Sequence, residues 1–195
     1  DSGIKFSNIF DASNTDPGDA TYKKVVTYNG TEWLRLKSGM DKAAAFLETR
    51  RYAALKGATT EFSKMEYIAY NPTDRKFYVV ISRIETLMTD GAGDIKVSRN
   101  DGGAVLEMVT ASGVKDSGGA TINSSYAGTT MATIPELVGG WSTKLDAEGN
   151  ACTQDKICGP DNVVYVPAIR TLFIGEDTSR RNNNYVWAFN IDSKR

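Results

Sequence analysis

Histidine is absent from this 195-residue chain. Its absence removes Ser/His and Cys/His nucleophilic pairs and histidine-rich zinc sites, because each needs an imidazole as base or ligand. Chemistry here has to rest on carboxylates, Arg or Lys, amides, or a bound metal. Cysteine is scarce: Cys152 and Cys158 enclose only five residues. That spacing is not the C-x-x-C of zinc or redox motifs, and it leaves two readings open, a small-loop disulfide or two buried thiols. No apolar run approaches the roughly 20 residues that a membrane-spanning helix needs, so no membrane span is expected. Asp1-Ser2-Gly3 carries no basic-then-apolar export signal. An excess of positive charge is missing too, since 23 Lys and Arg face 24 Asp and Glu for a net charge of -1. Without a positive field there is little to hold a phosphate backbone, and nucleic acid is not an expected partner. P-loops, G-x-S-x-G elbows and EF-hand spacings do not occur.

What is present is an ordinary globular composition, 41% hydrophobic and 24% charged, sufficient for a buried core. Strand-like runs at Val25–Leu36, Tyr67–Ile81, Val163–Ile174 and Tyr185–Ile191 are bounded by Gly, Asn, Asp or Pro, so an all-β class is expected. One helical insertion interrupts them: Asp41 is placed to cap Lys42–Lys56, which is rich in Ala and Leu and stops at Gly57. Residues 90–150, rich in Gly, Ser, Thr and Asp, read as short strands joined by long turns, an elaborated loop-rich insertion with a helical turn near Ile134–Val138.

An internal repeat carries the most information. Glu66-Tyr-Ile-Ala-Tyr-Asn-Pro72-Thr-Asp-Arg75-Lys-Phe-Tyr-Val aligns without a gap on Asp161-Asn-Val-Val-Tyr-Val-Pro167-Ala-Ile-Arg170-Thr-Leu-Phe-Ile. Pro fixes φ and cannot donate to a ladder, so each copy is expected to be two short strands folded back at the Pro turn. Two equivalent hairpins with other strands between them point to the inner hairpins of two blades of a β-propeller. Two sandwich hairpins sharing a pattern by chance are the alternative. The chain has material for roughly three blades of four strands, so the expected domain is a single partial propeller over residues 1–195, with 90–150 inserted between blades. A fragment, or a partner chain that completes the ring, would account for the remainder.

Glu66 and Asp161 occupy the same place in the two copies, at the start of the innermost strand, and would converge at one mouth of the channel. Two like charges in a low dielectric repel, and a bound cation relieves that repulsion. Hard oxygen donors suit calcium, magnesium, manganese or ferric iron, and Asn162 adds an amide oxygen of the kind calcium accepts. Both carboxylates could instead bond backbone amides at strand starts. Glu176 and Asp177, at the end of the second hairpin, should return to the same mouth, as ligands or as a solvated turn. Lys64, two residues before Glu66, is placed to grip an anionic substrate group. Arg75 and Arg170 read as architectural, Arg50 and Arg51 as intrahelical or exposed, and Arg180-Arg181 as a solvated loop.

The stretch Leu47-Glu-Thr-Arg-Arg-Tyr-Ala-Ala-Leu-Lys-Gly-Ala-Thr-Thr-Glu-Phe-Ser-Lys-Met-Glu66-Tyr-Ile-Ala-Tyr-Asn-Pro72, with Cys158-Gly-Pro-Asp161-Asn-Val and Gly175-Glu-Asp-Thr-Ser, resembles the PhoX-type alkaline phosphatases. The resemblance implies a six-bladed propeller, of which this chain would form about half. It also implies a periplasmic or extracellular, metal-dependent phosphomonoesterase with iron (Fe3+) and calcium (Ca2+) in the channel. Glu66 and Asp161 match family positions that supply metal-ligand carboxylates; Lys64 falls near the family's phosphate-contacting cation, with Lys in place of Arg. The family's iron-bridging cysteine precedes the matched segment, so this segment standing alone would hold an incomplete cluster and lack activity. The expected partners are a phosphate monoester and the remaining blades. A calcium-dependent lactonase or esterase propeller and a non-catalytic propeller module are the alternatives.

Overall fold

The computed structural model describes residues 3–27, 29–116 and 118–195; Asp1, Ser2, Tyr28 and Ser117 lie outside the described residues, the first two within the N-terminal triplet and Tyr28 within the Val25–Leu36 run. The protein is mostly β, 38% strand and 13% helix, in three antiparallel sheets. It divides into two compact units, Asp1–Phe62 with Thr86–Lys96, and Ser63–Glu85 with Val97–Arg195.

In the first unit, β1 (Phe10–Ser13) and β2 (Lys23–Thr27) flank β3 (Gly30–Leu36). The Val25–Leu36 run is therefore a hairpin rather than one strand, with Gly30 at φ 122° where an L side chain would be strained. Its core holds Ile9, Phe10, Val25 and Leu34 against Ala44 and Leu55 of the helical segment. That segment is two short helices, α1 (Asp41–Leu47) and α2 (Thr49–Leu55), separated at Glu48 by backbone at φ −134°, ψ 43°. Asp41 is the first helical residue, with Met40 at the cap. The end does fall at Gly57, which takes φ 96° while Ala58 N–H bonds back to Ala53 O at 3.0 Å.

The second unit contains the repeat. One sheet runs β4 (Met65–Asn71), β5 (Lys76–Ile81), β6 (Ala104–Ala111), β7 (Ala127–Val138); the other runs β8 (Pro160–Val166), β9 (Thr171–Glu176), β10 (Val186–Asn190). Asn71 pairs Lys76 in the first hairpin, and Val166 pairs Thr171 in the second. These are the same positions of the two aligned copies, so the repeat is one register used twice. Arg75 (φ 55°) and Arg170 (φ 48°) both take the left-handed conformation that closes the turn. Even the irregularity is shared: each first strand bulges between Met65 and Tyr67 or between Pro160 and Asn162, which makes Glu66 and Asp161 the extra residues.

The sheets pack on one core of Ala69, Tyr78, Val80, Val105 and Leu137 against Val163, Tyr165, Leu172, Ile174 and Phe189, with the Tyr78 and Tyr165 rings 6.1 Å apart. The two copies use opposite faces for this contact. Ala69 is buried and Ile68 is 50% exposed, whereas their counterparts reverse, Val164 being 54% exposed and Val163 buried.

Residues 90–150 supply β6 and β7, half of the four-stranded sheet, and at 8 and 12 residues these are not the short strands that the composition suggests. Nor does Ile134–Val138 form a helical turn. It continues β7, whose β-branched Thr129, Thr130 and Thr133 favour extended backbone. Pro135 is tolerated there because the ladder is already broken opposite Ala104 and Leu106.

Candidate functional site

The equivalent bulges bring carboxylates to the same end of β4 and β8, which lie side by side as neighbouring strands of the two sheets. Burial, and the charges of Glu66 and then Asp177, push the Asp161 carboxyl above its ordinary range. The Asn162 amide, which donates to Asp161 Oδ2, acts in the opposite direction. Glu66 is exposed, and its Oε1 accepts Ser82 Oγ–H at 2.8 Å. Lys64 is exposed two residues upstream, in left-handed backbone at φ 47°, and its carbonyl accepts from Ser82 N–H at 3.0 Å. Glu66, Asp161 and Asp177 thus form an open acidic patch with Lys64 close in sequence. Among the described residues, no group of three His, Cys, Asp or Glu is arranged to hold a metal ion.

Glu176, expected among the metal ligands, faces away from this patch. Asp177, the residue after β9, adds its charge to the acidic cluster, while Glu176, the last residue of β9, turns inward. Its side chain is wholly buried. Oε1 accepts from Cys158 N–H at 2.8 Å and Trp187 Nε1–H at 2.7 Å; Oε2 accepts from Tyr185 N–H at 3.0 Å and lies 3.6 Å from Arg181 Nε. With its acceptor positions taken by the protein, Glu176 is a structural anchor.

Arg180 and Arg181, expected in a solvated loop, are structural as well. Arg181 is 7% exposed, and its Nη2 donates to the carbonyls of Thr153 (2.9 Å) and Lys156 (2.7 Å). Arg180 Nη2 meets buried Asp101 at 2.6 Å, and Arg99 Nε meets it at 2.7 Å. These partners lie 25 to 79 residues away in sequence, so no local signal separates the two arginines from an exposed pair. Arg170 ties the hairpins together, bonding Asp74 (2.9 Å) and Asp192 (2.7 Å), in keeping with an architectural role.

Cys152 and Cys158 are bonded to each other, so neither offers a thiolate. The loop they close presents the Thr153 and Lys156 carbonyls to Arg181 and the Cys158 N–H to Glu176. The disulfide is weakly consistent with an oxidising compartment, and no helix among the described residues is long and apolar enough to cross a membrane. Comparison with protein-family models, with curated proteins and with solved structures finds no match in any of the three.

Proposed function

We propose that this chain is part of a β-propeller hydrolase that cleaves phosphate monoesters at a channel-mouth cation held by Asp161 and Glu66. The observation that carries the reading is the pair of bulges: the same bulge in each copy of one hairpin delivers a carboxylate to the same end of two adjacent strands. The opposite-face packing of the two sheets supports a propeller over a sandwich built on a two-fold. A module that meets its neighbour through unlike faces makes a heterologous contact, and heterologous contacts repeat into rings.

The donor set fits a hard cation in part. Carboxylate oxygens suit calcium, which takes 6–8 oxygen ligands, so Asp161 and Glu66, with Asn162 beside them, would fill only a portion of the sphere. An iron–cysteine bridge does not fit this chain, whose two cysteines are joined. A bound calcium would act as a Lewis acid on the phosphoryl oxygens. The chain's own contribution is to hold two carboxylates in place through the bulges and through Ser82, and to offer Lys64 as a point charge for the ester's anionic group.

Calcium titration of the chain followed by thermal unfolding tests the reading, alongside hydrolysis of p-nitrophenyl phosphate with calcium and iron by the full-length protein. Calcium should raise the melting temperature of the parent, by the equivalent of about 2.7 kcal/mol at a hundredfold excess over Kd, and Asp161→Asn should abolish the rise. Calcium-dependent turnover of a lactone, with none of the phosphate ester, would favour the lactonase alternative. The absence of both turnover and any calcium effect would leave a binding module.

A further inference from the structure

Residues 148–154 and 181–185 of the second unit line a cavity of about 300 Å³. Arg181 and Asn150 form its buried part, with Tyr185 half-buried beside them. The exposed Glu148, Gln154, Asn182 and Asn183 complete a lining that holds no aliphatic side chain. The walls are joined to each other before anything enters. Asn182 N–H donates to Asn150 Oδ1 at 2.8 Å, and Asn182 Nδ2 donates to the Glu148 carbonyl at 3.1 Å. Asn150 Nδ2 donates to Asp146 Oδ2 at 2.9 Å, and Gln154 Nε2 to Glu148 Oε2 at 3.1 Å. A volume of this order lies at the lower end of the range for small-molecule sites, which are commonly formed in advance of binding.

Arg181 points to a ligand. A guanidinium carries five N–H donors and no acceptor. Nη2 donates to the carbonyls of Thr153 and Lys156, and Nε stands 3.6 Å from Glu176 Oε2, too far for a hydrogen bond. Nη1 has no hydrogen-bond partner among the described residues, although the side chain is only 3% exposed. The Tyr185 ring, its centroid 4.6 Å from Arg181 Cζ, helps to hold the guanidinium where it is. A buried donor left unmade is costly, so an acceptor supplied from the cavity is favoured at this position.

The surrounding charges decide what that acceptor is. Glu176 already balances Arg181, and Glu148, with Asp146 behind it, makes the surroundings negative. An anion gains no net attraction there, and a cation meets the guanidinium. The group that fits is neutral, accepts from Nη1, and donates to Glu148, whose Oε1 receives no hydrogen bond among the described residues. A hydroxyl both accepts and donates. A ring bearing several hydroxyls satisfies both partners at once and offers the rest to the amides of Gln154, Asn182 and Asn183. We infer that this cavity binds a neutral polyhydroxylated molecule, a mono- or disaccharide, with one hydroxyl accepting from Arg181 and another donating to Glu148. The inference uses nothing of the acidic patch and is independent of the phosphatase reading.

Nuclear magnetic resonance titration of the intact, nitrogen-15-labelled chain with D-glucose, D-mannose, D-galactose and sucrose is the test. At least one sugar should shift the Arg181 Nε–H and Asn183 amide resonances saturably, with a Kd of about 1 mM, while the Glu66 amide stays unmoved. Glu148→Ala and Asn183→Ala alter exposed side chains, and an unchanged melting temperature reports that each variant is folded. Glu148→Ala should weaken binding about tenfold, through loss of a hydrogen bond to a charged group, and Asn183→Ala about threefold. Inorganic phosphate and glycine are titrated alongside. A saturable shift from either, with none from the sugars, would overturn the inference in favour of a charged ligand. The absence of a shift from every probe would overturn it too, leaving the cavity to ordered water, as would sugar binding that survives both substitutions unchanged.

Discussion

Replacing Glu176 by Gln is the sharpest test of how this site divides into structural and chemical parts. The carboxylate accepts three N–H donors and pairs with Arg181, whose side chain is 3% exposed. An amide has one acceptor oxygen, so whichever way it is turned its NH2 confronts donors. Breaking a buried ion pair by removing one partner costs about 3–5 kcal/mol, and a buried donor left unsatisfied costs about 1–3 kcal/mol. These losses overlap, so an expected destabilisation of about 4–5 kcal/mol follows, a large share of the about 5–15 kcal/mol that holds a typical domain together. Urea unfolding read by circular dichroism should show the midpoint falling by about 2 M for a slope near 2 kcal/mol/M. Arg181→Met in the same background should recover part of the loss, because the stranded charge is then gone. The effect should be the same with and without calcium. A loss under about 1 kcal/mol, or one that appears only in the presence of calcium, would refute the anchor and return Glu176 to the metal ligands.

Three further outcomes follow from the same packing. Asp101, held below its ordinary range first by Arg99 and then by the field of Arg180, contributes stability that is full above its unfolded pKa near 4 and is lost as pH falls through the lower folded value. Asp101→Asn should therefore cost about 2 kcal/mol at pH 7, with parent and variant converging in acid when melting is followed across pH. Gly139→Ala would drive a Cβ into the Gly102 backbone, and about 2–3 kcal/mol of destabilisation is expected by chemical denaturation; an unchanged midpoint would mean that these backbones are not in contact. Reducing Cys152–Cys158 should cost about 2 kcal/mol from the small loop alone, measured as a drop in melting temperature with reductant that is absent in the double Ser variant.

The repeat was legible because it is local. Fourteen aligned positions set the strands, the Pro turn and the left-handed Arg in each copy, and the structure returns the same register twice. The helix stop at Gly57 was legible for the same reason, since a positive φ is written in one residue. The break at Glu48 was not, because Leu47 and Thr49 are both compatible with a continuing helix. The length of β6 and β7 within residues 90–150 was not legible, because Gly, Ser and Thr suggest turns, while pairing with a strand already present stabilises Thr-rich backbone in extended form. Glu176 and Asp177 were read as one acidic pair. Their separation into an anchor and a surface charge depends on which face of β9 meets Trp187 and Arg181, a fact set by tertiary packing alone.

Opposite-face packing puts each column of the repeat under contrary constraint in its two copies. Ala69 must stay small where Val164 is free to grow, and Val163 must stay apolar where Ile68 could turn polar. Divergence between the copies is therefore what their docking demands. A consensus hairpin made by averaging them would be wrong in both settings, leaving one interface overfilled and the other with a gap.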